Sequence, residues 1–271
     1  MSDSAATARK VARTAEGSTP FRTLARVGYA VNGLLHLLIG LIAIGVATGT
    51  SGAKADQSGA LGQLAATPGG VFVLWAIVIG LVALGLWQVL EAFLVPAYDP
   101  KRKWAHRIIE LGKGVAYLAI AATAFAFANG ASSDAAKSTQ DFAAALLAAP
   151  GGILLLVLVG LLVLVIGGFF VYRGAAQKFT ESITVPDGPG GSAIVALGVF
   201  GYVAKGIALA VVGILFLVAA FTANAAKATG LDGALKALID LPYGAAILIT
   251  VGVGLIAFGL YSFARARYAR L

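Results

Sequence analysis

The sequence has no cysteine and few charged residues. Without cysteine the chain can form neither disulfides nor thiolate metal sites nor iron–sulfur clusters. Charged residues make up 12% of its 271 residues, below the roughly one quarter typical of soluble domains, and hydrophobic residues make up 59%. A soluble core cannot hide this much apolar surface. The composition therefore excludes an ordinary soluble domain and indicates a membrane protein.

Catalytic motifs are missing as well. The sequence contains no G-x-x-x-x-G-K-[ST], no G-x-S-x-G and no H-E-x-x-H, and its apolar runs hold no pair of carboxylates. Its two histidines fall at different depths, which does not suit a metal or haem site. We therefore expect neither an enzymatic activity nor a bound cofactor.

Six long apolar runs are the main feature that is present. A helix needs about twenty residues to cross roughly 30 Å of hydrocarbon, because it rises about 1.5 Å per residue. The runs predict an all-α, polytopic membrane fold with six transmembrane helices, at Leu24–Thr48, Gly70–Leu94, Arg107–Asn129, Gly151–Tyr172, Ser192–Thr222 and Tyr243–Ala264.

The net charge of +8 does not indicate nucleic-acid binding, because the cations lie just outside the apolar runs. Lysine and arginine are concentrated in the N-terminal tail, near residues 100 and 180, and at the C-terminus. The segments on the other side hold only Lys54, Lys137, Lys227 and Lys236. This asymmetry predicts a multi-pass protein with both termini in the cytoplasm, where anionic lipid headgroups are the expected partners.

A two-helix unit is repeated three times. The odd-numbered helices align on Gly28, Gly112 and Gly201, and a proline turn (TPGG, APGG or LPYG) precedes each even-numbered helix. Fixed spacings from these prolines lead to a glycine (Gly85, Gly167, Gly259) and to a charged residue (Glu91, Arg173, Arg265). The apolar spacing just before each proline predicts a short amphipathic helix in the outer interface.

These repeats set the predicted domain organisation. A disordered basic tail (residues 1–21) precedes repeat 1 (22–95), repeat 2 (96–176) and repeat 3 (177–271), all in one membrane domain whose hairpins have a pseudo-threefold arrangement. Small residues let membrane helices approach closely. We therefore predict close helix contacts at Gly160, Gly167, Gly168, Gly252, Gly254 and Gly259.

The repeated unit carries a resemblance to a known family. Three tandem helix pairs, each with a glycine in its first helix and a P-G-G-like turn before its second, are similar to a bacterial membrane-protein family of unknown function built from that unit. The resemblance covers about residues 22–268. It implies the six-helix fold and a bacterial plasma membrane, and nothing about site residues.

Three polar residues within the apolar runs form the candidate intramembrane site. Asn32 and His36 lie one turn apart on the first helix, with His36 about 15 Å into the bilayer, and Lys205 aligns with Asn32 in the third repeat. If the odd helices line a central axis, these residues and Ala116 converge on it and could bind an anion or gate an ion. Alternatively, His36 hydrogen-bonds within its helix and Lys205 extends its amine toward the interface.

Further charges fall near the cytoplasmic ends of the helices. Glu110 precedes Lys113 by three residues, which predicts an ion pair on one helix face. Arg173 and Arg265 are predicted to be interfacial anchors, and Glu91 to pair with a cation of the loop near residue 100.

Two functional hypotheses follow. In the first, the chain is a non-enzymatic membrane scaffold or lipid-interacting protein, which predicts a dry, packed axis or a lateral groove for acyl chains. The alternative is a transporter or channel for a small solute or ion, which predicts a hydrated cavity near Asn32, His36 and Lys205. A homo-oligomer or a membrane-protein partner stays open in both.

Overall fold

The computed structural model describes residues 19–94 and 100–270. Six long helices occupy α1 (Thr19–Ala47), α3 (Gly70–Leu94), α4 (Pro100–Ala128), α6 (Gly152–Ala175), α7 (Pro189–Phe221) and α9 (Gly244–Tyr268). Three short helices are α2 (Gln57–Ala65), α5 (Ala135–Ala148) and α8 (Gly230–Ala237), and two 3-10 segments are Lys178–Ser182 and Ala225–Lys227. The predicted tail lies almost wholly outside the described residues, and α1 begins at Thr19, inside its predicted range.

The length and composition of these helices agree with a membrane protein. Among the described residues, five stretches are long and apolar enough to span a bilayer, with the longest, Pro189–Phe221, at 33 residues. In α3 the apolar stretch is Gly70–Leu86. The predicted all-α, polytopic architecture is confirmed, and the exact count of six spans stays a prediction.

The close helix contacts join successive repeats. The most extensive contacts are α6 with α7, α9 with α1, and α3 with α4, so each even-numbered span packs on the first span of the next repeat. Within the repeats, α7 and α9 also pack closely, α1 and α3 touch over a small area, and α4 and α6 barely meet. The extensive helix contacts therefore lie between successive repeats, and the predicted pseudo-threefold arrangement of the hairpins stays a prediction.

Glycine pairs explain why these partners are preferred. A Cβ on Gly259 would lie 2.7 Å from the carbonyl oxygen of Gly33, and one on Gly167 would lie 2.8 Å from that of Gly206. Such approach requires glycine on both helices. The predicted close contacts are confirmed for Gly160, Gly167, Gly252, Gly254 and Gly259. The prediction is wrong for Gly168, whose missing Cβ would face open space.

The short helices lie together at one end of the bundle, which we call the short-helix end (α2, α5 and α8). Each is followed by the proline turn, where the residue after proline is left-handed, with φ of 79° at Gly69, 72° at Gly151 and 61° at Tyr243. Only the third copy places a side chain at this conformation, which favours glycine. The turns end each short helix and start the next long one.

Side-chain contacts link the three short-helix segments to one another. The buried Asp232 accepts hydrogen bonds from the Ala55 N–H (2.8 Å) and from Lys236 (2.8 Å), so the predicted Asp232–Lys236 pair forms. Lys54 forms an ion pair with Asp134, and its hydrogen bond holds the pKa of that carboxyl below its usual value. The three repeats are therefore tied together at this end by paired charges.

The opposite end, which we call the basic end, carries the start of α1, the end of α9 and the Lys178–Ser182 segment. The segment after α6 is fixed to the end of α9, since the Thr184 N–H donates to the Tyr268 carbonyl (2.8 Å) and the Arg270 N–H donates to the Ser182 carbonyl (3.2 Å). An apolar core, with Leu35, Leu74 and Leu255 fully or nearly fully buried, fills the bundle between the two ends.

Candidate functional site

Stacked aromatic rings fill the interior near the basic end. Phe179 is fully buried, lies 5.2 Å from Tyr202 (ring centroids) with nearly parallel planes, and meets Tyr261 edge-on at 5.1 Å. It fits because residue 198 of α7 is glycine, where a Cβ would overlap the Phe179 ring. Phe258 of α9 packs edge-on against Tyr202 at 5.2 Å. The rings hold α6, α7 and α9 together.

Lys205 extends its amine into this aromatic region. Its Nζ lies 4.3 Å from the centroid of Phe258 and 5.1 Å from that of Phe170. Lys205 is half-buried, and cation–π contact with two rings stabilises its ammonium. In the described part of the chain, Lys205 forms no ion pair with a carboxylate.

Two arginines complete what we call the cation–aromatic cluster, which comprises Arg173, Lys205, Arg265 and the rings that they contact. Arg265 stacks over Tyr29 at 4.2 Å, and Arg173 lies over Tyr202 at 5.7 Å. The Nε atom of each arginine is buried and has no hydrogen-bond acceptor among the described residues. Both arginines lie in the last turn of their helices, near whose end the helix dipole favours positive charge.

Asn32 and His36 take part in the contact between α1 and α9. The Asn32 amide donates to the Ser262 hydroxyl (3.2 Å), which donates in turn to the Phe258 carbonyl (2.8 Å). The Nδ1–H of His36 donates to the Asn32 carbonyl (2.8 Å), and its ring lies 4.7 Å from the ring of Phe258. These bonds satisfy the polar groups and join the two helices.

The three candidate residues therefore meet through α9. His36 and Lys205 contact the same ring, Phe258, from opposite partner helices, while Asn32 bonds one turn further along. Ala116, the matching residue of repeat 2, is exposed. The predicted convergence on an axis of odd-numbered helices is corrected, because an even-numbered helix lies between them.

The charges of repeat 2 form a separate group. Lys113 pairs with the buried Glu110 (2.6 Å), which also accepts from Gln88 of α3 (2.9 Å). Glu91 lies in α3, but its side chain is outside the described part of the structure, so its predicted pairing stays a prediction. Glu110 and Lys113 help to join α3 and α4.

Two clefts open near the basic end. One, of about 620 Å³, lies between the start of α1 and the end of α9, with Arg26 and Arg267 beside the apolar Val27, Ala30 and Phe263. We call it the α1–α9 groove. The other, of about 650 Å³, lies at the start of α7 and includes Asp187. Neither is lined by His36 or Lys205.

Sequence reasoning missed the aromatic part of the cluster. Phe170 precedes Arg173 by three residues, and Tyr202 precedes Lys205 by three, so each pair lies on one helix face. That spacing was a usable signal. No such spacing indicates the contacts of Phe179, because they depend on how the chain after α6 turns back onto α7.

Comparison with known proteins identifies the family of the repeated unit. A model of the family described as Domain of Unknown Function (DUF1206) matches the chain at residues 27–94, 111–177 and 200–269, which confirms the threefold repeat and the resemblance noted from the sequence. The chain is 30% identical over 256 residues to Uncharacterized protein YxxB of Bacillus subtilis (strain 168), covering 91% of this chain and 90% of the relative. No solved structure matches it.

Proposed function

This chain belongs to the family described as Domain of Unknown Function (DUF1206), and on that premise we propose that it is a non-enzymatic protein of the bacterial plasma membrane that binds anionic phospholipid. Both termini lie in the cytoplasm in this proposal, so that the basic end faces the anionic leaflet. The α1–α9 groove is the binding site.

The composition of the groove is the observation that supports this role. Its walls include Val27 and Phe263, whose exposed fractions are 39% and 38%, and its basic side chains are the exposed Arg26 and Arg267. An apolar wall suits an acyl chain, and guanidinium groups suit a phosphate, which they can bind through two parallel hydrogen bonds. The groove therefore suits both parts of a phospholipid, the acyl chain and the phosphate of the headgroup.

The expected strength follows from the two charges. Each arginine near an anionic membrane surface contributes about 1 kcal/mol, and about 1.4 kcal/mol changes a binding constant tenfold. Loss of both should weaken binding to anionic lipid by more than about tenfold. Binding to a zwitterionic lipid should change little.

The test is lipid binding by the purified chain. Delipidated protein is placed in bilayers of phosphatidylcholine with or without phosphatidylglycerol, and the lipid that remains bound after re-extraction is measured by mass spectrometry. We expect enrichment of phosphatidylglycerol with wild type and with Arg270→Gln, an exposed arginine outside the groove. The double variant Arg26→Gln/Arg267→Gln should lose it. Equal enrichment in the double variant would contradict the proposal.

Transport is the second candidate, and the Lys205 ammonium among aromatic rings is the observation that favours it. A positive charge within a membrane protein is expensive and commonly marks an ion or substrate path. Liposomes containing the protein should then show anion flux that Lys205→Met abolishes. Lipid enrichment without flux would favour lipid binding over transport.

A further inference from the structure

The three cations of the cation–aromatic cluster share one property. Arg173, Lys205 and Arg265 contact aromatic rings, and within residues 19–94 and 100–270 none of them has a hydrogen-bond acceptor or a carboxylate partner. Phe258, which Lys205 contacts, lies seven residues before Arg265 and so shares a face of α9 with it. Positive charge is thus carried by three half-buried side chains that pair with no carboxylate among the described residues.

Snorkelling accounts for only part of this arrangement. A lysine or arginine that snorkels directs its charged group away from the protein and into water. Here the Lys205 amine lies between rings of α6 and α9, and the Nε atoms of both arginines are buried. Withdrawing a charge from water without a partner is costly, and a bound counter-ion would offset that cost.

We propose that Arg173, Lys205 and Arg265 form a binding site for a phosphate-type oxyanion. The guanidinium groups supply planar, paired donors that match phosphate oxygens, and the ammonium adds a compact charge. Tyr29 and Tyr202 stack against the guanidinium groups and so restrict their orientation. The oxyanion is either free phosphate or the phosphate of a lipid headgroup.

The site is distinct from the α1–α9 groove. Arg267, which lines the groove, is exposed, whereas Arg265, two residues earlier, stacks on Tyr29. Because α9 turns by about 100° per residue, these two side chains leave the helix on different faces. The same helix turn therefore offers a matched pair of arginines, one in each proposed site.

The experiment measures anion-dependent stabilisation of the delipidated full chain in an uncharged detergent. Thermal unfolding is followed with increasing sodium phosphate, with sodium chloride at matched ionic strength, and with short-chain phosphatidylglycerol or phosphatidylcholine. A ligand that binds only the folded state raises the midpoint in a saturable manner. The variants are Arg265→Gln, Lys205→Met and the control Arg267→Gln, with Arg265→Lys retaining the charge if Arg265→Gln does not fold.

We expect phosphate to raise the midpoint of wild type and of Arg267→Gln. Arg265→Gln and Lys205→Met should each weaken the apparent affinity by about tenfold or more, as for loss of a charge-assisted hydrogen bond. Arg265→Lys should fall between, since it keeps the charge and loses the paired donors. Stabilisation by phosphatidylglycerol and not by phosphate would support the same site with the lipid headgroup as its ligand.

Two results would overturn the inference. One is that neither phosphate source stabilises the wild type. The other is that Arg265→Gln and Lys205→Met are stabilised as much as the wild type. The groove proposal fails separately. Its signature is lipid enrichment that depends on Arg26 and Arg267, whereas the cluster depends on Arg265 and Lys205. A variant can therefore lose lipid enrichment and keep phosphate-dependent stabilisation, or the reverse.

Discussion

The two ends of the bundle differ in how their charged side chains are paired. At the short-helix end, Asp232 is buried but bonds the Ala55 N–H and Lys236, and Lys54 pairs with Asp134. In the cation–aromatic cluster at the basic end, Lys205 and Arg265 contact rings, with no carboxylate partner among the described residues. Paired charges fix the three repeats relative to one another, whereas unpaired cations favour a ligand from outside the chain.

This comparison has a measurable consequence. Removing a paired, buried charge leaves its partners without a bond and destabilises the fold. Removing a half-buried cation that has no hydrogen-bond acceptor takes away a desolvation cost and leaves no acceptor unpaired. Substitutions at the two ends should therefore change stability with opposite sign.

The largest effect is expected from Asp232→Ala. The variant leaves the buried Ala55 N–H without an acceptor and Lys236 without a partner, so we expect a loss of about 2–3 kcal/mol. Asp240→Ala is the control, since Asp240 is exposed in the same segment, and its effect should stay below about 0.5 kcal/mol. Unfolding in a fixed detergent measures both. Similar losses in the two variants would show that the bonds of Asp232 do not hold this end.

Two neighbouring glycine variants in α6 test whether the close contact between α6 and α7 supports both ends of the bundle. Gly167→Ala places a Cβ 2.7 Å from the backbone N of Ala210, so overpacking should cost about 1–3 kcal/mol. Gly168→Ala, in the same turn, meets open space and should be neutral or gain up to about 1 kcal/mol from helix propensity. Anion binding should weaken only in Gly167→Ala. A neutral Gly167→Ala would contradict the close α6–α7 contact.

Lys205→Met separates the two ends most directly, because its expected change in stability has the opposite sign. Methionine keeps the length of the side chain and its contact with Phe258 and removes the charge. In anion-free detergent we expect the variant to be as stable as wild type or more stable by about 1 kcal/mol. Thermal unfolding without added anion checks this. A loss of more than about 1 kcal/mol would show that the contacts of the ammonium with Phe170 and Phe258 outweigh the cost of withdrawing it from water.

The smallest effect concerns the exposed Lys54–Asp134 pair. Lys54→Gln should cost less than about 1 kcal/mol near neutral pH, because exposed ion pairs contribute little. Lys54 holds the pKa of Asp134 below its usual value, so the pair contributes above the unfolded-state pKa and its contribution is lost as the pH falls through the lower folded-state pKa. The difference between wild type and Lys54→Gln should therefore vanish in acid. A constant difference would assign it to lost packing of the lysine stem.

Much of the fold follows from the sequence because the membrane constrains it strongly. The apolar runs locate most ends of the long helices to within about four residues, whereas α1 and α4 begin earlier than predicted, and the proline turns locate the short helices. Sequence spacing also identifies Gly167 and Gly259 as contact positions. It does not say which helix each contacts, because a glycine face fits any other small face. The pairing across repeats was therefore accessible only from the structure.

The candidate site was less predictable for a related reason. Periodicity places Asn32, His36 and Lys205 on particular faces, but their surroundings depend on which helix lies between α1 and α7. That helix is α9, which contributes Phe258 to His36 and Lys205 and Ser262 to Asn32. The sequence predicts Arg173 and Arg265 to be interfacial anchors because it gives their depth in the bilayer and does not show their contact with aromatic rings.

The packing of α9 on α1 makes the order of the repeats circular. The second span of each two-helix unit packs on the first span of the following unit, and the last span packs on the first. No unit therefore contains its own main helix contact. A circularly permuted chain, joined between α9 and α1 and opened between α6 and α7, would retain every large helix contact. By the same reasoning, three separate copies of one unit could assemble around a threefold axis, as subunits do in a cyclic trimer.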